Sequence, residues 1–168
     1  MNNYEIVTMF TESEIKFLQE MYDKMHGEFH EKYMNLYSVT LKVIRDDSIP
    51  ADCESGWRKI EAKLDTTAND LSYRHYFLRY GEGSKVSMHD DASPTTIITM
   101  VDKDPMLDGG RNIVIDQNTG ECLEFGFDVS ETVIYHNHTY HGMSYIDHGH
   151  RLVLISWYGQ PRDDSNFK

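Results

Sequence analysis

The apolar pattern of this chain changes its period near residue 71. Before that point, two segments carry apolar residues at a spacing of three and four, which is typical of amphipathic helices. After it, short runs of alternating polarity follow at intervals of about ten residues, separated by turn residues. Such chains form sandwiches, barrels or jelly rolls rather than strand–helix–strand units. The sequence therefore predicts a mainly β protein with N-terminal helices, in a single domain over 1–168.

The predicted elements divide into a helical part, about 1–70, and a β core, about 71–160. Thr11 and Glu14 form a capping-box pattern that opens the first helix. A second helix is predicted over about 55–69, and a short strand before Thr11 is a further candidate. The strands of the core are predicted at 73–80, 85–89, 95–101, 111–115, 121–127, 132–136 and 151–157.

Charge and cysteine content restrict the classes of partner. The 168 residues include 16 basic and 28 acidic ones, a formal net charge of −12, which disfavours nucleic acids and anionic membranes. No apolar run reaches the ~20 residues of a membrane span. Cys53 and Cys122 form neither a disulfide framework nor a zinc motif, and the N-terminus lacks a signal-peptide pattern. We therefore expect a cytoplasmic protein.

His89 and Asp91 form the pair that points to a metal. A chain with nine histidines and 28 acidic residues contains His-x-acid pairs by chance, and His26 with Glu28 is another. His26, however, lies at the end of the helical part, and residues two apart on a helix point in different directions. On a strand they share a face. Position therefore favours His89 and Asp91 as ligands.

A two-histidine, one-carboxylate set binds non-haem Fe(II) and needs a second, distant histidine. His141 is the predicted choice, because its ten-residue separation from Arg151 suits a short strand–turn–strand segment. His138 is the main alternative and His136 a weaker one.

Arg151 leads an otherwise apolar strand face that continues through Val153 and Ile155 to Trp157. A buried guanidinium requires an anion to offset its desolvation, and a dicarboxylate cosubstrate would supply one. Tyr80, on an earlier strand, is a candidate hydrogen-bond donor to the same carboxylate, and Tyr76 shares its strand face. Thr99 and Met100 are candidates to line the same site, and the sequence leaves open which of the two faces inward.

These residues together carry a resemblance to a known family. They are Tyr80, His89-x-Asp91, the Gly109-Gly110 pair before a strand, His141, Arg151 and Trp157. The series resembles the Fe(II)/2-oxoglutarate-dependent dioxygenases, and within them the prolyl 4-hydroxylase-like branch. The match covers about 73–158, roughly half of the chain. Its combined spacing is fairly specific, whereas any single piece is not.

The resemblance implies a double-stranded β-helix (jelly roll) with helices packed on one sheet. It implies Fe(II) bound by His89, Asp91 and His141, with 2-oxoglutarate held by Arg151 and assisted by Tyr80. Thr99, Met100 and Trp157 are further cosubstrate contacts that it implies. O2 is the second cosubstrate, ascorbate is a further candidate cofactor, and succinate and CO2 are the co-products. The implied reaction is hydroxylation of an amino-acid side chain, with peptidyl proline in a peptide or protein as the first candidate substrate.

Four alternatives accompany this prediction. A cupin-type metal-binding jelly roll would need no 2-oxoglutarate, and a member of the same superfamily could act on a free amino acid or another small molecule. A non-catalytic adaptor would be expected to lack a metal ligand. Demethylases of alkylated bases resemble the chain in the order of these residues, but they carry a second arginine where this sequence has Trp157.

Overall fold

The computed structural model describes residues 2–33 and 36–162. Its α-helices are α1 (Glu12–Lys24) and α2 (Glu54–Ala68), and a short 3-10 helix (Ala51–Cys53) precedes α2. The strands are β1 (Tyr4–Thr8), β2 (Glu28–Tyr33), β3 (Leu36–Ile44), β4 (Ser72–Tyr80), β5 (Val86–His89), β6 (Thr95–Lys103), β7 (Asp108–Gly109), β8 (Asn112–Ile115), β9 (Cys122–Phe125), β10 (Glu131–Tyr135), β11 (His141–Met143), β12 (Ile146–His148) and β13 (Arg151–Tyr158).

The strands form a larger and a smaller antiparallel sheet. The larger sheet has the order β1-β10-β6-β13-β4-β3-β2 and the smaller one the order β5-β11-β8-β9. A two-stranded ribbon, β12-β7, completes the pairing within the described residues. The chain passes from one sheet to the other and back, since β4, β6, β10 and β13 lie in the larger sheet while β5, β8 and β11 lie in the smaller. The predicted mainly β architecture is confirmed.

Both helices pack against one face of the larger sheet. Thr11 and Glu14 form the predicted capping box at the start of α1. Leu18 of α1 and Trp57 of α2 belong to one buried cluster with Leu154 of β13, so the apolar stripes of the helices cover the sheet. Among the described residues, neither helix is long and apolar enough to cross a membrane.

Residues 28–33 and 36–44 differ from the predicted helical part, because they form β2 and β3, the two antiparallel strands of a hairpin. The alternate residues Leu41 and Val43 of β3 lie opposite Leu78 and Tyr76 of β4. The hairpin is therefore an extension of the larger sheet at its β4 edge. Pairing with a strand more than thirty residues later decides this conformation, and no local periodicity reports it.

The other face of the larger sheet looks towards the smaller sheet. Leu78 and Val153 of the larger sheet form a second buried cluster with Val114 and Met143 of the smaller one. This interior also holds polar side chains, Arg151 and His141 among them.

Candidate active site

A cavity of about 560 Å³ lies between the two sheets, a size typical of small-molecule sites. Its wall combines residues of β3, β4, β6 and β13 with residues of β5, β8 and β11. Most of this wall is apolar. Several polar side chains interrupt it, and among them are one region at His89, Asp91 and His141 and a second at Arg151.

The first polar region brings two histidines and a carboxylate together. His89 and His141 are direct partners in the register of β5 and β11, and Asp91 follows β5 in the next loop. Nε2 of His89 lies 3.3 Å from Oδ1 of Asp91, and Nε2 of His141 lies 3.5 Å from Oδ2. One ligand atom of each residue lies within 4.8 Å of the other two, which allows all three to bind one ion.

Hydrogen bonds orient all three side chains. Nδ1 of His89 donates to the carbonyl oxygen of Ser87, and Nδ1 of His141 donates to that of Thr139, each at 2.8 Å. A carbonyl oxygen only accepts, so each ring carries its proton on Nδ1 and presents Nε2 to the cluster. The hydroxyl of Thr96 donates to Oδ2 of Asp91 at 2.5 Å. The supporting bonds therefore leave both imidazole Nε2 atoms available for a metal.

The electrostatics of the three groups favour a charged carboxylate beside imidazoles. The hydrogen bond with Asp91 raises the pKa of His89. Burial lowers the pKa of His141. Burial by itself raises the pKa of Asp91, but the hydrogen bond with His89 and the proximity of His141 outweigh it, so the pKa lies below its ordinary value.

The other candidate histidines lie outside this cluster. Nδ1 of His138 donates to the backbone carbonyl of Asp91 at 2.8 Å, so His138 supports the loop rather than joining the three ligand atoms. Nε2 of His136 lies 3.0 Å from a carboxylate oxygen of Glu5. His26 follows α1 and is exposed.

The second polar region is the guanidinium of Arg151, which is 3% exposed. Its Nη1 donates to the carbonyl of Gly110 at 2.6 Å and to Oδ1 of Asn112 at 2.8 Å. Among the described residues no carboxylate lies within ion-pair distance of it, and its buried Nε has no hydrogen-bond partner. Burial lowers the pKa of Arg151. A buried cation with a donor to spare, lining a cavity, suits an anionic ligand.

Asn112 and Tyr135 connect the two polar regions. Nδ2 of Asn112 donates to the hydroxyl of Tyr135 at 2.9 Å. The ring of Tyr135 stacks on that of His141, with centroids 4.2 Å apart. The sequence analysis did not identify either residue. The one sequence feature that points to Asn112 is its position in a predicted strand, two residues after Gly110. That position does not identify Arg151 or Tyr135 as its hydrogen-bond partners.

The structure places the tyrosines of β4 along the cavity. Tyr80 lies opposite Arg151 in the strand register, and the guanidinium carbon is 5.5 Å from the centre of its ring. Burial raises the pKa of Tyr80 to about 12, so its phenol keeps its proton and is a hydrogen-bond donor. Tyr76 lines the same wall.

Thr99 and Met100 lie away from the cavity. Thr99 is on the opposite face of β6, where its hydroxyl is 2.8 Å from that of Thr132. Met100 is buried in the cluster between the sheets. Thr96 and Ile98 are the residues of β6 that line the cavity. The register of β6, which the sequence left open, thus turns Thr99 to the helix-covered face and Met100 to the interior between the sheets, where Met100 is not among the residues that line the cavity.

Trp157 lines the cavity, but at the other end of β13 from Arg151. Six residues separate the two, which is about 20 Å along a strand. Trp157 instead packs against Tyr76, with ring centroids 5.3 Å apart. It therefore borders a different part of the cavity from the carboxylate site that the sequence assigned to it.

The donor set fits the groups that the sequence resemblance implies. Two imidazole nitrogens and one carboxylate are the ligands that non-haem Fe(II) takes on one face of its coordination sphere. The buried, anion-free guanidinium of Arg151 fits the remote carboxylate of a diacid. Both groups line the same cavity, and Asn112 and Tyr135 connect them through hydrogen bonds and a ring contact.

No protein-family model and no curated protein sequence matches the chain. Solved structures do resemble it. An oxidoreductase of the 2OG-Fe(II) oxygenase family from Burkholderia pseudomallei aligns with a TM-score of 0.76 and 14% identity, over 94% of this chain and 85% of that one. HygX from Streptomyces hygroscopicus, with nickel and 2-oxoglutarate bound, gives 0.73 and 9%, over 94% and 83%.

A third structure is a prolyl hydroxylase from Trichoplax adhaerens in complex with a hypoxia inducible factor peptide fragment. It aligns with a TM-score of 0.70 and 9% identity, over 94% of this chain and 84% of that one. These structures confirm the resemblance seen in the sequence at the level of the fold. The chain has the fold of the Fe(II)- and 2-oxoglutarate-dependent oxygenases, prolyl hydroxylases among them.

Proposed function

We propose that the protein is an Fe(II)- and 2-oxoglutarate-dependent oxygenase that hydroxylates an amino-acid side chain. The observation that carries the proposal is that a buried arginine without a carboxylate partner shares a cavity with a His–Asp–His cluster. In a metal-binding jelly roll that needs no diacid, no ligand would offset the desolvation of that buried guanidinium. The solved neighbour with nickel and 2-oxoglutarate bound supports both cofactors.

Each side chain has a role in this proposal. His89, Asp91 and His141 would hold the iron, and Thr96 fixes the carboxylate of Asp91. Arg151 would bind the remote carboxylate of 2-oxoglutarate through its unpaired donors, and the phenol of Tyr80 would donate to the same group. When bound, iron and 2-oxoglutarate supply the oxidation, in which O2 gives one oxygen atom to succinate and the other to the new hydroxyl, with loss of CO2.

The proposal includes the finer architecture and the location of the protein. The passage of the chain between two antiparallel sheets supports a double-stranded β-helix in a single domain, with both helices on the larger sheet. A cytoplasmic location rests on the sequence pattern alone. Ascorbate remains a candidate cofactor on the strength of the resemblance.

Two substrate classes are compatible with the fold. Peptidyl proline is supported by the resemblance to the prolyl hydroxylase branch and by the solved neighbour that holds a peptide. A free amino acid or another small molecule is the alternative from the sequence analysis. The side chains that line the cavity beyond the metal cluster bear on the choice between these two substrate classes.

The decisive experiment measures 2-oxoglutarate binding and succinate formation by anaerobically purified protein supplied with Fe(II). The wild-type protein should bind 2-oxoglutarate and form succinate slowly without a primary substrate. Arg151→Leu should weaken 2-oxoglutarate binding by about 10- to 100-fold, because a charge-assisted hydrogen bond is lost.

Two controls separate this effect from misfolding. Arg151→Lys keeps the charge without the planar fork and should give an intermediate affinity. The melting temperature of each variant reports whether the fold is intact. A folded Arg151→Leu protein with unchanged 2-oxoglutarate affinity would favour the cupin-type alternative, and wild-type protein without stoichiometric metal or succinate would favour the adaptor.

A further inference from the structure

A second arginine lines the cavity at the corner diagonally opposite Arg151. Arg74 lies at the start of β4, on the same strand face as Tyr76 and Tyr80. In the strand register Arg74 is paired with Trp157, just as Tyr80 is paired with Arg151. The cavity therefore has a guanidinium near each end of the β4–β13 pair and an apolar wall between them.

Arg74 has no carboxylate partner among the described residues. Of the two acidic residues that line the cavity, Asp90 is paired with Arg162 at 2.9 Å and Asp91 belongs to the metal cluster. Arg74 is exposed as well as lining the cavity, so its guanidinium is accessible to a ligand from solvent in a protein whose 28 acidic residues outnumber its 16 basic ones. The site favours an anion from outside the chain.

Aromatic rings hold the guanidinium of Arg74 in place. Its central carbon lies 5.6 Å from the centre of the Tyr73 ring and 5.8 Å from that of the Trp157 ring. The two rings are themselves stacked, with centroids 6.3 Å apart. Packing against rings leaves the in-plane N–H donors available, which is the geometry that suits a carboxylate. The buried Nε1 of Trp157 adds a donor without a partner among the described residues.

This donor pair lies on the metal side of the cavity. Trp157 is paired on its other side with Thr96, whose hydroxyl donates to Asp91. Arg74 is therefore two strands from Thr96, about 10 Å between backbones. A small molecule held at Arg74 would present its own carbon atoms to the metal.

We propose that Arg74, with the indole N–H of Trp157, binds the carboxylate of the primary substrate, and that this substrate is a free amino acid. The inference rests on the proposed oxygenase function. In a residue within a peptide, the α-carboxylate has become an amide and cannot form a charged pair with the guanidinium. A free amino acid keeps that charge, and its side chain lies a few bonds away, which suits an anchor on the cavity wall that also carries Thr96.

The test compares free L-amino acids, beginning with L-proline, with their C-terminal amides and with peptides that hold the same residue internally. Protein loaded with Fe(II) and 2-oxoglutarate is titrated anaerobically, using intrinsic tryptophan fluorescence, to which Trp57 and Trp157 both contribute, as the binding signal. Stimulation of succinate formation is then measured in air. The free acids should bind about 10- to 100-fold more tightly than the amides, the usual effect of one charge-assisted pair.

Variants assign that preference to Arg74. Arg74→Gln should remove the difference between acid and amide, and Arg74→Lys should restore part of it. Arg79→Gln is the matched control, because Arg79 lies on the same strand and does not line the cavity. It should behave as the wild type does.

The outcomes separate the subsite from the proposed function. If wild-type protein neither binds 2-oxoglutarate nor forms succinate, the oxygenase proposal fails. If it does both, three results would overturn the subsite alone: no free amino acid binds, amides or internal peptides bind equally well, or the preference for acids survives in Arg74→Gln.

Discussion

At the scale of single residues, the cavity depends on how Arg151 is supported. Asn112 is 2% exposed and uses both ends of its amide, accepting from Arg151 and donating to Tyr135. Tyr135 in turn stacks on His141. A substitution of Asn112 therefore affects the guanidinium of Arg151 directly and the metal cluster through the ring of Tyr135.

We predict that Asn112→Leu weakens 2-oxoglutarate binding by about 10- to 100-fold, as losing the support of a binding group usually does. It should also lower the free energy of unfolding by about 1–3 kcal/mol, because two buried polar groups lose a partner. Calorimetric titration and denaturant unfolding measure the two effects.

Tyr135→Phe is the matched control for this prediction. It removes the hydroxyl that accepts from Asn112 and leaves the bond between Asn112 and Arg151 in place. Its 2-oxoglutarate affinity should stay closer to the wild type than that of Asn112→Leu. Equal losses in the two variants would contradict a direct role of Asn112 at Arg151.

At the scale of elements, α2 and the larger sheet meet around a buried histidine. His75 of β4 is 6% exposed, its Nδ1 is 2.9 Å from the hydroxyl of Ser156, and its ring packs edge-on against Trp57. Burial lowers the pKa of His75, although Glu61 and Asp65 of α2 act in the opposite direction. The contact between helix and sheet is thus sensitive to acid.

This contact gives a prediction for stability against pH. The unfolded chain takes up a proton at His75 near pH 6.5, whereas the folded protein does so only at lower pH. The folded state therefore loses stability as pH falls below about 6.5, by at most ~1.4 kcal/mol per pH unit from this residue. Denaturant unfolding at a series of pH values should show a smaller loss in His75→Gln.

The control is His26→Gln, which alters an exposed histidine beyond the end of α1. Its stability should follow pH as in the wild type. A His75→Gln protein that loses stability with acid as steeply as the wild type would place the effect elsewhere in the molecule.

At the scale of the whole molecule, the candidate metal site links distant parts of the chain. His89 is the last residue of β5, and Asp91 lies in the loop that follows. His141 lies on β11, fifty residues after Asp91. Arg151 comes from the larger sheet, so the cavity exists only when both sheets are assembled. A ligand that binds this arrangement therefore stabilises the entire fold.

We predict that Fe(II) under anaerobic conditions raises the melting temperature of the wild-type protein. At a hundred times its dissociation constant, the metal adds about 2.7 kcal/mol to the free energy of unfolding. His141→Ala and His141→Gln should each lose this shift, measured against their own metal-free baselines. His136→Ala, whose histidine faces Glu5 instead, should keep it. A shift that survives in both His141 variants would exclude His141 as a ligand.

Much of the element order was predictable from the sequence because local patterns specify it. The capping box of Thr11 and Glu14 opens α1 as predicted, and each predicted strand of the core overlaps an observed one. The short strand β11, which carries His141, was not predicted, since three residues are too few to show a periodicity. The hairpin at 28–44 was missed for the different reason that its partner strand is remote.

The sequence by itself determined the mainly β class and the residue types of a candidate metal- and anion-binding site, because periodicity and side-chain chemistry are local properties. The tertiary structure decided which histidine joins Asp91, that Asn112 rather than an acid supports Arg151, and that Arg74 shares the cavity. It also turned Thr99 to the opposite face of its strand and placed Met100 between the sheets, outside the lining of the cavity. These outcomes depend on strand register and on pairing between distant segments, and a shift of one residue in register moves a side chain to the other face of its sheet.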